Sequence, residues 1–345
     1  MKKLFVCLLA MLLLAGCGTV PKSTSTVYAM DTVMTLTVYG KNREAAEVEG
    51  AREIHRLDAL LSTTLESSDI YRFNQESSAV VSRATGLLLQ RALEIAALTD
   101  GDFDPTTYPL MVAWGFASSD GEHSYRVPAH IDSLLSLVGY QKLRLQEISE
   151  GDGGFQVTLP VQKASGLDLG GIAKGYTSQK VLEAIAAAGA HTAVISLGGN
   201  VGVMGTKPDG SPWIVAIRDP NGEESDYIAT LSLTGQEQPQ YVITSGGYER
   251  YFESEGIRYH HILDPKTGYP ADSDLISVTV VSQDGTLADG LSTALYVKGF
   301  QEAVAFWRAH SDTFDMVLIT QDGLFATAGL TISAQVPVTT LEATP

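Results

Sequence analysis

Apolar and polar residues alternate across residues 27–39, and a period of two predicts a first strand. The period then changes. Across 45–61, Ala51, Ile54, Leu57 and Leu61 fall on one helix face, and 86–98 repeats that spacing until Asp100-Gly101 stops it. Between these helices, 67–74 reads as a polar connection. Residues 128–138 have helical spacing, and strand-like segments at 142–146 and 155–159 bracket a turn of glycine and aspartate. An apolar run then turns on two glycines, Asp168-Leu169-Gly170-Gly171-Ile172-Ala173-Lys174-Gly175, and continues as a helix through Val181, Leu182 and Ile185. Strands are predicted at 192–197, 213–217, 227–231, 241–244 and 276–282. Helices follow at 288–296 and 301–309, then a closing pair of strands at 316–320 and 323–327. No repeat and no shift in composition interrupts this order, so 28–340 is expected to be a single intertwined α+β domain.

The N-terminus breaks the pattern. Lys2 and Lys3 precede an apolar run from Leu4 to Leu14, too short to span a bilayer comfortably, and Leu14-Ala15-Gly16-Cys17 reads as a bacterial lipobox. The expectation is a signal peptide over 1–16, a lipidated Cys17, and a Ser/Thr-rich tether reaching residue 27. Cys7 falls in the discarded segment, so the mature chain would hold one cysteine and no internal disulfide. Such a protein is an exported lipoprotein anchored by Cys17 to a bacterial membrane, facing the periplasm or the cell exterior.

Charge narrows the ligand. With 40 acidic against 23 basic residues the formal charge is −17, which lacks the basic footprint of a nucleic-acid-binding protein. A phosphorylated ligand would need local help from a cation or from backbone amides. The Asp168–Gly175 turn fits either an anion cradle, with Lys174 one turn into the helix, or a capped strand-to-helix turn. Asp289 and Thr293 share a helix face; alone they read first as an acidic first turn and a back-bonded threonine, but beside an acidic net charge and an anion-cradling turn they suit a hard divalent cation. His261, beside His260 in a short strand that runs into Asp264-Pro265-Lys266-Thr267-Gly268, is a candidate general base. Asp102 and Asp104 flank Phe103 and could bond a ligand's hydroxyls or ring nitrogens, or simply be turn acids. Ser245 lacks the glycine two residues before it that a nucleophile elbow needs, which leaves a serine hydrolase a poor second.

Taken together, the motifs resemble the ApbE family of bacterial FAD:protein FMN transferases. They are, in order, Met30 before Thr32; Leu61-Ser62 with Asn74; Gly101 to Thr106; Pro109-Leu110 and Trp114-Gly115-Phe116; Asp168 to Tyr176; Leu197 to Asn200; Thr244-Ser245-Gly246 with Tyr248; His261 to Gly268; and Ala288 to Thr293. The resemblance implies a T-fold-like α+β core, FAD as substrate and Mg²⁺ across its pyrophosphate. By position, Gly171 (through its carbonyl), Asp289 and Thr293 would hold the metal. Met30, Asp102, Phe103, Asp104, Asp168, Lys174 and Ile262 would line the FAD site, and His261 would be the base. The implied reaction moves FMN to a threonine hydroxyl of an acceptor protein and releases AMP; flavin-carrying subunits of membrane redox pumps are the implied acceptors. Water as acceptor would make the protein an FAD pyrophosphatase, and no turnover would make it a flavin-binding lipoprotein. Three residues depart from the family pattern: Asp31 where glycine is usual, Gly247 where aspartate is frequent, and His260 where serine is common.

Overall fold

The computed structural model describes residues 20–118, 123–149, 153–223, 225–234 and 238–344, so the expected signal peptide and Cys17 lie outside the described residues. In chain order the elements are β1 (Lys22–Ala29), β2 (Thr32–Tyr39), α1 (Arg43–Leu61), α2 (Asp69–Glu76), β3 (Ser78–Val81), α3 (Arg83–Leu98), α4 (Tyr108–Trp114), α5 (Ile131–Leu135), β4 (Arg144–Ile148), β5 (Gly154–Thr158), α6 (Ala173–Ala187), β6 (Ala193–Leu197), β7 (Asn200–Met204), β8 (Trp213–Arg218) and β9 (Tyr227–Leu233). There follow β10 (Gln240–Gly246), β11 (Tyr251–Ser254), β12 (Ile257–His260), β13 (Leu275–Ser282), α7 (Gly285–Ala309), β14 (Asp315–Thr320), β15 (Gly323–Thr327), β16 (Ile332–Ala334) and β17 (Val338–Leu341).

Nine strands form one sheet in the order β1-β2-β6-β7-β10-β13-β14-β15-β17, antiparallel except for the last pair. Both faces of this sheet are covered. On one side Met34, Leu36, Ile195, Val278, Met316 and Leu318 pack with Ile54 and Leu57 of α1, Leu182 and Ile185 of α6, and Leu291 and Leu295 of α7. On the other, Val317 and Ile319 meet Trp213, Val215, Ala229 and Leu231 of the small sheet β16-β9-β8. Alternate residues of β14 thus serve different cores, which explains why this strand reads as an unbroken apolar run. The α+β expectation holds.

The structure corrects several local expectations. Residues 22–26, assigned to the tether, belong to edge strand β1, where Lys22 pairs with Tyr39 and Thr24 Oγ1 lies 3.1 Å from Thr37 Oγ1. Its Ser/Thr composition reflects a strand with a solvated face. The expected single strand 27–39 is a hairpin whose two turn residues, Met30 (φ 49°) and Asp31 (φ 56°), are both left-handed. That backbone is the type I′ turn, at which aspartate is tolerated, so the Asp31 departure fits. The connection at 67–74 contains α2, capped by Ser68 Oγ accepting from Tyr71 N (2.9 Å) and burying Ile70 and Phe73. The helices expected at 288–296 and 301–309 are both present as the two halves of α7, parted where Gly299 leaves the helical region (φ 74°, ψ 174°) and Phe300 N donates to Asp274 Oδ1 (2.7 Å); only the start of the first is corrected, to Gly285. Among the described residues no helix is long and apolar enough to cross a membrane.

Candidate active site

The first turns of α6 and α7 touch. A Cβ on Gly175 would lie 2.1 Å from Gly285 O and 2.5 Å from Asp289 Cβ, so only glycine permits the crossing. The Gly175 N–H consequently donates to Asp289 Oδ2 (2.7 Å), and Asn200 Nδ2, delivered by the β6-β7 hairpin, donates to Oδ1 (3.3 Å). Asp289 is only 4% exposed. Burial pushes its carboxyl above the usual range, while the Lys174 charge and these hydrogen bonds pull it back. Among the described residues it has no ion-pair partner.

Thr293 follows one turn later. A Cβ on Gly171 would stand 3.1 Å from Thr293 Oγ1, which sets the glycine turn against the same face of α7. Because the Gly175 N–H turns to Asp289, Gly171 O accepts no main-chain hydrogen bond among the described residues. A carbonyl without a main-chain partner, a buried carboxylate lacking a counter-ion and a hydroxyl thus belong to residues lining one cavity, an all-oxygen set of the kind that suits Mg²⁺. Among the described residues no three His, Cys, Asp or Glu side chains gather, so such a site draws on backbone and hydroxyl oxygen.

Every sequence-predicted site residue within the described chain lines one cavity of about 580 Å³: Met30, Asp102, Phe103, Asp104, Asp168, Gly171, Lys174, His261, Ile262, Asp289 and Thr293. Met30 arrives on the β1-β2 turn, its N–H held by Asp58 Oδ1 (2.9 Å). Phe103 packs beneath Gly171. Asp102 is buried and doubly paired, to Lys298 Nζ of α7 and to Lys266 Nζ (2.8 Å). Asp104 serves the loop itself: Oδ1 accepts from Thr106 N (2.8 Å) and Thr106 Oγ1 (2.6 Å), and Oδ2 from Tyr140 N (2.7 Å). Burial raises its pKa despite these bonds. Asp168 folds back so that Oδ1 accepts from Gly170 N (2.8 Å), which shapes the glycine turn. Asn74 holds the residue before it from both sides, through Leu167 N (2.7 Å) and Leu167 O (3.0 Å).

The two histidines part company. His261 lines the cavity, and its Nδ1 lies 3.1 Å from Arg250 O. A carbonyl can only accept, so Nδ1 carries the proton and Nε2 keeps its lone pair. Burial above all, then the charges of Arg250, Lys174 and His260, push the His261 pKa down to about 3. His260 is not among the lining residues; its ring stands edge-on to Tyr296 at 5.5 Å and its Nδ1 is buried without a partner.

Two departures from the family pattern prove to be coupled. A Cβ on Gly247 would meet Tyr296 Oη at 2.5 Å and His260 Cδ2 at 2.9 Å, so the His260 ring occupies the space a side chain at 247 would need. Ser245 is no nucleophile of a triad: its Oγ lies 2.8 Å from Ser292 Oγ and 3.5 Å from Thr293 Oγ1. Sequence reasoning missed Lys298, Asn200, Glu249 and Arg250. Lys298 pairs with Asp102 across 196 positions, a contact no local pattern carries.

With this geometry in view, a family model described as the ApbE family matches residues 30–318. The FAD:protein FMN transferase of Salmonella typhimurium is 32% identical over 333 residues, covering 92% of this chain and 93% of that protein. One from Klebsiella pneumoniae is 34% identical over 274 residues, 78% of this chain and 80% of that protein. Among solved structures, the ApbE protein of Thermotoga maritima superposes with a TM-score of 0.76 at 30% identity, covering 91% and 97% of the two chains. The apo form of the flavinyl transferase ApbE of Pseudomonas stutzeri gives 0.74 at 29% identity, covering 92% and 96%.

Proposed function

Because this chain belongs to the ApbE family, we propose that it is an FAD:protein FMN transferase that works in the cavity between the first turns of α6 and α7. One observation carries the assignment of chemistry to place: the oxygen set of Gly171, Asp289 and Thr293, the cation Lys174 and the imidazole of His261 open on a single void. FAD is the substrate, held along Met30, Asp102, Phe103, Asp168 and Ile262, with Asp104 bracing the loop beneath it.

The acceptor is a threonine hydroxyl of a second protein. Its oxygen bonds to the FMN-side phosphorus as the bond from that phosphorus to the bridging oxygen breaks, so FMN remains in phosphoester linkage and AMP departs. His261 Nε2 takes the hydroxyl proton, its tautomer fixed by Arg250 O. Lys174, in the first turn of α6, and the positive end of that helix offer positive field to the phosphates. Mg²⁺ on Gly171 O, Asp289 and Thr293 would neutralise charge on the attacked phosphate and the leaving group. Positioning of both reactants supplies much of the remaining acceleration.

The export pattern of residues 1–17 supports a domain lipid-anchored through Cys17, outside the cytoplasm, with flavin-carrying subunits of membrane redox pumps as acceptors. Purified protein incubated with FAD, Mg²⁺ and an acceptor should give acceptor-bound flavin that survives denaturation, with AMP in equal amount. Release of FMN and AMP at the same rate without acceptor would reassign the protein as an FAD pyrophosphatase. Intact FAD after long incubation would make it a flavin-binding lipoprotein.

A further inference from the structure

In a chain of net charge −17, two basic side chains, Lys174 and Arg250, line the cavity. Neither is in an ion pair among the described residues. Lys174 belongs to the glycine turn already discussed. Arg250 has no role yet, and its placement is firmly built. It stands at the foot of the β11-β12 hairpin, whose ladder pairs Tyr251 with His260 and ends with the His261 N–H donating to Arg250 O (3.0 Å). The same oxygen receives the His261 imidazole at 3.1 Å. The hairpin therefore fixes residue 250 directly across from the candidate base. From there its charge is felt both by Asp168, on the glycine turn, and by His261. Glu249 shares this rim and feels Lys174, Arg218 and Arg250 without pairing with any of them.

We propose that the Arg250 guanidinium is a phosphate-binding group of this site, gripping non-bridging oxygens of the FAD pyrophosphate beside His261. The inference rests on FAD being the ligand of the cavity. Arginine suits the task because its planar fork meets two phosphate oxygens at once and its charge survives burial, whereas lysine offers a point charge. The residue then does two separable jobs. Its carbonyl sets the tautomer of His261, which any amino acid at 250 would preserve, and its side chain holds the phosphorus on the side where the imidazole waits.

The test uses the full chain with Mg²⁺ and three probes, FAD, FMN and riboflavin, against R250Q and R250K. R250Q should bind FAD and FMN roughly 10- to 100-fold more weakly, the worth of a charge-assisted hydrogen bond, with riboflavin binding unchanged. R250K should recover part of the loss for FAD and change nothing for riboflavin. The groups facing His261 are Arg250, Lys174 and His260, and the first of these charges holds its pKa down. R250Q should accordingly shift the acid limb of kcat/KM to higher pH, which a purely structural lesion would not do. Equal losses for FAD and riboflavin, or FAD affinity intact in R250Q, overturn the proposal. Should R250Q fail to fold, the FAD-to-riboflavin ratio of R250K decides alone, an unchanged ratio counting against. These binding arms contain no acceptor. A phosphate-selective loss in a protein that never labels an acceptor would therefore sink the transferase reading and keep this one, and normal labelling without such a loss would do the reverse.

Discussion

Gly175→Ala is the sharpest perturbation of the metal end of the cavity, because it adds one methyl and no charge. The new carbon would stand 2.1 Å from Gly285 O and 2.5 Å from Asp289 Cβ, both main-chain or rigidly attached atoms. Restoring ordinary contact requires the helix starts to separate by about 1 Å, which ends the 2.7 Å bond from Gly175 N to Asp289 Oδ2. Overpacking of this kind costs about 1–3 kcal/mol. Losing a hydrogen bond to a buried carboxylate costs about 1.5–3 kcal/mol more. A total near 3–5 kcal/mol corresponds to a fall in Tm of roughly 4–7 °C for a chain of this size. A second consequence is catalytic: an error of about 1 Å in a site built on position costs on the order of 100-fold in rate. Calorimetry gives the first number, and AMP release at a temperature where the variant is folded gives the second. A variant with wild-type Tm and wild-type turnover would refute the claim that the helix crossing seats Asp289.

Three further outcomes follow from the same geometry. Asp289→Asn should abolish Mg²⁺-dependent turnover while leaving the metal-free protein at least as stable at pH 7, because burial raises the folded-state pKa and the ionised form opposes folding there. Calorimetry with and without Mg²⁺ checks it: the wild-type Tm should rise with the ion and the variant's should not, and the stability difference should shrink as pH falls through that pKa. Lys298→Met should cost roughly 1.5–3 kcal/mol in urea unfolding by removing the buried one of Asp102's two cation partners, whereas Lys266→Met, on a half-exposed lysine, should cost under about 1 kcal/mol. Similar losses for the two would refute the ranking. His261, with its pKa pushed down to about 3 chiefly by burial, stays neutral in the free protein, so its titration should leave no acid limb near pH 6.5 in kcat/KM. The same shift withdraws stability as pH falls from about 6.5, where the unfolded histidine takes a proton that the folded one resists. His261→Gln should flatten that part of the stability profile, and an unaltered profile would count against the pKa.

How much of this was legible in the sequence follows from what a local pattern can encode. Strands β13 and β14 and helices α1, α3 and α6 repeat their apolar residues at the period their neighbours demand, so they are readable without knowing the neighbours. Residues 22–26 of edge strand β1 and the short helix α2 bury too few side chains to impress a period on the chain, so the first read as a tether and the second as a connection. The site divides along the same line. Residue types at Asp168 to Gly175 and at Asp289 and Thr293 announce chemistry, but their meeting is a fact about two helices more than a hundred positions apart. Gly175 and Gly285 look like turn punctuation in the sequence, and in space they are the clearance that lets the helices meet. Lys298 and Arg250 were invisible because lysine and arginine on partly polar elements look like any solvated face. What separates them from ordinary surface charge is burial beside Asp102 in one case and a hairpin that aims the residue at His261 in the other. The cations of an acidic protein are thus best sought where a carboxylate or a fixed imidazole has been placed first, since that placement gives a positive side chain a reason to be there.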